Sequence, residues 1–72
     1  MNMTDVLTGR IVQRVISAKT KDCTIVRVIH GVDYTHDIKR LIDNLYEFFP
    51  NSSIELRKLN FGYSLAINVY YK

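Results

Sequence analysis

The clearest hydrophobic pattern lies in the middle of the chain, between Thr35 and Phe49. Asp33 or Thr35 can cap a helix there, Asp37 adds a negative charge to its first turn, and Pro50 ends it. The spacing i, i+3, i+4, i+7 of its apolar residues is typical of one helix face. We therefore predict one amphipathic helix over residues 35–49, with an apolar stripe of Ile38, Leu41, Ile42, Leu45, Phe48 and Phe49.

The last part of the chain alternates between apolar and polar positions, which is typical of a strand with one buried face. Every second residue from Tyr63 to Tyr71 is apolar or aromatic, and a shorter alternation covers residues 54–57. Gly62 ends the turn-forming segment between the two runs. This pattern predicts a hairpin over residues 53–71.

Residues 9–30 are rich in β-branched side chains, which favour strands. The polar run from Ala18 to Asp22 divides them into two halves. We therefore predict a first hairpin over residues 9–30. A helix over residues 4–18 is the alternative, but it would need an unusually wide apolar face.

Together these elements predict a single small α+β domain over residues 1–72. Its expected architecture is a four-stranded, mainly antiparallel sheet in the order β-β-α-β-β, with the helix packed on one face. The second strand has apolar residues on both faces, with Val26 and Val28 opposite Ile25 and Ile29. Because one helix covers only one face, the other face is expected to meet a second copy of the chain or another protein.

Composition limits the class of protein. A core of this size rarely supplies more than ~3–5 kcal/mol, so a partner subunit would help the 72-residue chain to fold. One cysteine, Cys23, cannot form an intramolecular disulfide, and the sequence contains neither a secretory signal nor a membrane-length apolar run. We expect a cytoplasmic protein that does not contact a membrane.

Candidate chemistry is sparse. His30, Asp33, His36 and Asp37 lie within eight residues and offer metal-ligand side chains, but they also fit the capped start of the helix, which is the interpretation we favour. Cys23 has no neighbouring base in the sequence. We therefore predict no catalytic residues, no metal and no cofactor, and we expect a protein that is not an enzyme.

Tyrosine, arginine and exposed isoleucine are residue types that favour a protein-binding surface. The leading hypothesis is an interaction protein that regulates or inhibits a larger protein by surface binding. It would act as a homodimer, and a phage or mobile element is a possible source, which would place it in the host cytoplasm. The candidate partner-binding residues are Arg10, Arg14, Ile25, Arg27, Ile29 and Tyr70.

The alternative hypothesis is a basic nucleic acid-binding protein or transcription regulator. The net charge is +3, and residues 9–30 carry five basic side chains against one acidic side chain. A ribbon with arginines on its face and lysines at its tip can follow a phosphate backbone. The residues of this basic hairpin are Arg10, Arg14, Lys19, Lys21 and Arg27.

Overall fold

The computed structural model describes residues 2–71 and contains two helices and a three-stranded antiparallel sheet. The elements follow the chain in the order α1 (Met3–Ala18), β1 (Ile25–Val32), α2 (Ile38–Phe48), β2 (Ser52–Leu59) and β3 (Gly62–Tyr70). The predicted four-stranded sheet with one helix, in the order β-β-α-β-β, is therefore wrong. The error lies in the first hairpin, predicted over residues 9–30, because the segment before residue 19 is helical.

Helix α1 forms because its residues at helical spacing pack against the core. Ile11 and Val15 are fully buried, and Thr4 and Thr8 are buried beside them. The side chain of Asn2 caps the helix by accepting a hydrogen bond from the N–H of Thr4 at 2.7 Å. A β-branched residue costs at most ~0.7 kcal/mol of helix propensity, whereas burying an apolar side chain stabilises by ~1.5–3 kcal/mol. Burial therefore decides the conformation of this segment.

Helix α2 confirms the predicted amphipathic helix in the middle of the chain. Leu41 and Leu45, on its apolar stripe, are fully buried. Its N-cap is Asp37, whose carboxylate accepts a hydrogen bond from a backbone N–H of the first turn at 3.1 Å. The cap expected at Asp33 or Thr35 is therefore displaced, and Asp33 instead accepts a bond from the N–H of Thr35 within the preceding turn.

Strand β3 is central in the sheet, whose order is β1-β3-β2, and both neighbours pair with it in antiparallel fashion. Leu59 pairs with Gly62, so two residues form the loop of the β2–β3 hairpin. The predicted second hairpin is thus confirmed. Ile67 pairs with Val28 on one side and with Ile54 on the other, so these three side chains share one face.

That face of the sheet carries both helices. Val26, Val28 and Val32 of β1 are buried against the helices, and so are the alternate residues of β3. The opposite face has no helix within residues 2–71, so we call it the open face. The core consists of Leu7, Ile11, Val12, Val15, Val26, Val28, Val32, Leu41, Leu45, Leu65, Ile67 and Val69.

The two helices meet through a polar seam. Arg40 binds the carboxylate of Asp5 with two hydrogen bonds, at 2.9 and 2.8 Å. Asn44 donates to the same carboxylate at 3.0 Å and to the hydroxyl of Thr8 at 3.2 Å. The hydroxyl of Thr4 accepts a hydrogen bond from the backbone N–H of the α2 cap residue at 3.0 Å. Directional bonds therefore define how α1 and α2 are aligned.

The two outer edges of the sheet differ. On β1, Arg14 of α1 donates to the outward carbonyl of Ile29 at 3.1 Å, so a helix side chain occupies the middle of that edge. On β2, the hydroxyl of Tyr46 accepts a hydrogen bond from the N–H of Ile54 at 3.2 Å. Every β2 residue from Glu55 to Leu59 is exposed. This second edge is therefore open along the half of β2 nearest the hairpin loop.

Candidate protein-binding surface

The open face combines exposed apolar side chains with a central arginine. Ile25 and Ile29 are 54% and 56% exposed, and Tyr70 is 40% exposed. Ile25 pairs with Tyr70 across β1 and β3, and Ile29 pairs with Ala66. The exposure expected for Ile25, Ile29 and Tyr70 is confirmed, and their role in binding stays a prediction. Arg27 lies between the two isoleucines on the same face.

Arg27 is held in place by its cross-strand neighbour. Its Nη1 donates to the side-chain oxygen of Asn68 at 3.0 Å, and the two residues are register partners. Within residues 2–71 it forms no ion pair. The guanidinium therefore presents its charge next to apolar surface, an arrangement typical of residues that contribute strongly to protein interfaces.

A groove runs along β3 in the middle of the open face. Ser64 and Ala66 are small, whereas Ile29 of β1 and Arg57 of β2 project beside them. The depression between the rows has a volume of about 360 Å³, and Arg27 and Glu55 complete its walls. The groove is polar and shallow, which suits a protruding side chain of a protein better than an enclosed small molecule.

Arg10 and Arg14 lie on α1 and not on the open face. Arg14 donates to the carbonyl of Ile29 and lies 2.7 Å from Nδ1 of His30. Burial lowers the pKa of His30, and the charges of Arg14 and Arg10 lower it further. A neutral His30 can accept the bond from Arg14, so this arginine serves the packing of α1 on the sheet edge. The structure thus separates Arg10 and Arg14 from Ile25, Ile29 and Tyr70.

The basic hairpin proposed for nucleic acid binding does not form. Its arginines at positions 10 and 14 are helical, and Lys19 and Lys21 lie in the connection between α1 and β1. The ammonium group of Lys19 donates to the carbonyl of Thr20 at 2.6 Å and lies 5.1 Å from the centre of the Tyr71 ring. Arg27 is on the open face. The five basic residues are therefore distributed over a helix, a loop and a strand.

The candidate binding residues predicted from the sequence do not include the hairpin loop. Phe61 at its tip is 88% exposed, the largest exposure among the large hydrophobic residues described. Nearby, the hydroxyl of Tyr34 donates to the carbonyl of Leu59 at 3.1 Å, and the ring of Tyr34 packs edge-on against Tyr63 at 5.3 Å. A phenylalanine in a two-residue loop cannot reach the core. Its position in the loop was therefore the feature of the sequence that could have indicated its exposure.

The two aspartates of the cluster at the start of α2 have structural partners. Asp33 accepts hydrogen bonds from the hydroxyl and the N–H of Thr35, which lower the pKa of its carboxyl group, and Asp37 caps α2. Across residues 2–71, no group of three or more metal-binding side chains comes together. Cys23 is half-buried, and its sulfur accepts a hydrogen bond from the N–H of Thr20 at 3.3 Å. The side chain and the backbone of Thr20 both lower the pKa of the thiol.

No protein-family model matches the sequence, and neither curated proteins nor solved structures give a significant match. Over the described part of the chain, neither helix has the length and apolar character needed to cross a membrane. The proposal for the candidate surface therefore rests on the exposure, charge and contacts of its own residues.

Proposed function

We propose that the chain is a non-enzymatic protein-binding module that regulates or inhibits a larger protein by covering part of its surface with the open face. The observation that carries this proposal is the exposure of Ile25, Ile29 and Tyr70 on a sheet face without a helix. Exposed apolar groups around a positioned arginine are typical of binding surfaces. The single free thiol supports a reducing compartment, which agrees with the cytoplasm.

The chemistry of the face suggests what the partner presents. Arg27 and Arg57 outnumber Glu55 among the charged residues of the groove, so its local charge is positive. An apolar ridge bordered by carboxylates on the partner would match both the isoleucines and the arginines. We therefore expect a protein partner with an acidic rim around an apolar centre.

The first experiment replaces Ile25 and Ile29 together with glutamine. The tagged protein is used for affinity capture from cells that produce it, and the wild type should recover the partner. The variant should recover at least about tenfold less of the partner, because both side chains lie at the centre of the proposed contact. The matched control replaces Val6 and Ile16 of α1 with glutamine, since these residues are also exposed, Ile16 as much as Ile25 at 54%.

Circular dichroism and thermal melting separate loss of binding from loss of folding. Both double variants should melt within a few degrees of the wild type, because none of the four side chains belongs to the core. Unfolding of the Ile25 and Ile29 variant would show that these residues stabilise the monomer. Equal capture by wild type and both folded variants would exclude the open face as the binding surface.

Nucleic acid binding remains the second candidate, because Arg10 and Lys21 are exposed and form no ion pair within residues 2–71. Fluorescence anisotropy of labelled DNA and RNA at two salt concentrations tests it, since phosphate contacts weaken steeply with salt. Arg10→Glu with Lys21→Glu is the appropriate variant, because Arg14 holds α1 on the sheet edge. Absence of binding at low salt would remove this candidate.

A further inference from the structure

The outer edge of β2 presents unpaired backbone groups in a regular pattern. The carbonyl of Asn51 accepts a hydrogen bond from the N–H of Tyr70, so odd-numbered positions of this segment point toward β3. The N–H of Ile54 binds Tyr46 on the other side, so even-numbered positions point outward. Because the N–H and C=O of one strand residue point in the same direction, the next outward groups belong to Leu56 and Lys58.

An edge of this kind is a template for another strand. On the edge of β1, Arg14 occupies the outward carbonyl of Ile29 in the middle of the strand, whereas the half of β2 beyond Ile54 is exposed and includes Leu56 at 46% exposure. Charged residues on an edge strand commonly prevent unwanted pairing, and β2 carries one negative and one positive side chain, Glu55 and Arg57. Opposite charges two residues apart on one strand face also allow the strand to pair with itself.

We propose that the edge of β2 binds β2 of a second copy of this chain in antiparallel orientation, about a two-fold axis at Leu56. In this register Leu56 and the partner's Leu56 face each other as a hydrogen-bonded pair and exchange both N–H···O bonds. The N–H of Lys58 reaches the carbonyl of the partner's Ile54, and the symmetric bond forms in return. In this register the carbonyl of the partner's Lys58 takes the place of the Tyr46 hydroxyl on the N–H of Ile54, so the Tyr46 side chain must move aside when the strands pair.

Charge complementarity selects this register. With the axis at Leu56, Glu55 lies directly opposite the partner's Arg57, and Arg57 lies opposite the partner's Glu55. Moving the axis to residue 55 would place two glutamates opposite each other, and moving it to residue 57 would oppose two arginines. Neither Glu55 nor Arg57 forms an ion pair within residues 2–71, so both charges are free for the second copy.

The result is a continuous six-stranded sheet in which two open faces lie side by side. Leu56 lies on the helix side of this sheet, and the Glu55–Arg57 pairs lie on the open side, between the grooves of the two copies. The pairing shares Glu55 and Arg57 with the groove, but it is measured by dimer dissociation, whereas binding by the open face is tested by the variant at Ile25 and Ile29. Failure of the proposed function and failure of this inference are therefore distinguishable.

Analytical ultracentrifugation over a range of concentrations tests the pairing. We expect the wild type to dimerise, and E55R and R57E each to raise the dissociation constant at least about tenfold, because each places like charges opposite each other twice. The double variant E55R/R57E should dimerise as the wild type does. Glu47→Arg on α2 is the matched control, since it makes the same charge change as E55R at an exposed position away from β2.

Mixing the two single variants gives the sharpest result. E55R has arginine at both positions and R57E has glutamate at both, so a mixed dimer pairs opposite charges on both sides of the axis. Each variant alone should be mainly monomeric, and the equimolar mixture should form heterodimers, with folding checked by circular dichroism. A monomeric wild type, or single variants that dimerise as strongly as the wild type, would overturn the proposal.

Discussion

Gly62, the first residue of β3, is expected to be the most sensitive glycine in the chain. Its φ is 144°, a conformation that L side chains rarely adopt. A Cβ at this position would lie 2.3 Å from the carbonyl oxygen of Val32 and 2.9 Å from the Cα of Asp33. The atoms that would have to move are backbone atoms at the end of β1, which the ladder with β3 holds in place. Gly62→Ala therefore combines backbone strain with a steric clash.

The magnitude follows from these two effects. A strained backbone conformation costs ~1–3 kcal/mol, and forcing extra atoms into a packed site costs a further ~1–3 kcal/mol. To reach ordinary van der Waals distance, which begins near 3.4 Å, the end of β1 must move by about 1 Å. The expected loss is thus ~2–6 kcal/mol, which is comparable to the ~3–5 kcal/mol that a core of this size supplies. We expect Gly62→Ala to be largely unfolded.

Urea denaturation followed by circular dichroism measures this loss, and the other two glycines are internal controls. Neither a Cβ at Gly9 nor one at Gly31 would meet another atom within 4 Å. Gly9→Ala lies in an exposed part of α1 and should raise the free energy of unfolding by ~0.5–1 kcal/mol. Gly31→Ala should change it by less than ~1 kcal/mol. A Gly62→Ala protein as stable as the wild type to within ~0.5 kcal/mol would refute the reasoning.

Two further predictions concern the polar seam between the helices. Thr4→Val keeps the shape of the side chain but removes the acceptor of the Asp37 N–H, so it should lower the free energy of unfolding by ~1–3 kcal/mol in urea denaturation. The control Thr24→Val, at an exposed position, should be nearly neutral. The hydrogen bond from Arg40 lowers the pKa of Asp5, so its stabilising effect is present above the unfolded-state pKa and lost as pH falls through the folded-state pKa. Asp5→Asn should therefore flatten the acid limb of the stability profile below about pH 4, and an unchanged limb would contradict this assignment.

The second half of the fold was predictable from sequence because its patterns are unambiguous. The stripe containing Leu41 and Leu45 has only a helical period, and the alternation through Leu65, Ile67 and Val69 has only a strand period. Pro50 separates them. Local pattern and tertiary burial agree in this half, so the helix and the hairpin were placed correctly.

The first helix was not predicted because its many β-branched residues favour strands, and part of its buried stripe is polar. Thr4 and Thr8 lie on the same helix face as Leu7, Ile11 and Val15. In the sequence alone, however, a threonine favours a strand unless its hydrogen-bond partner is known. The hydroxyl of Thr8 donates to the carbonyl of Thr4 at 2.9 Å and accepts from the side chain of Asn44, thirty-six residues away. The buried positions of α1 therefore depend on a helix that a local pattern does not include.

The candidate site was predicted in part for a related reason. Alternation in β1 identified Ile25 and Ile29 as residues outside the core, and that holds in the three-stranded sheet as well. The role of Arg14 could not be predicted from the sequence, since its bond to the carbonyl of Ile29 depends on the packing of α1 beside β1. A change from strand to helix moves Arg10 and Arg14 off the sheet, which removes them from the open face.

The polar seam also orients the dipoles of the two helices. Its contacts join residue 4 to 37, residue 5 to 40 and residue 8 to 44, so α1 and α2 run parallel with their N-termini together. Two positive dipole ends side by side repel each other, and carboxylates at that end offset the repulsion. Asp5 and Asp37 occupy the first turn of α1 and the cap of α2. The seam therefore both aligns the helices and supplies the negative charge that makes their parallel arrangement tolerable.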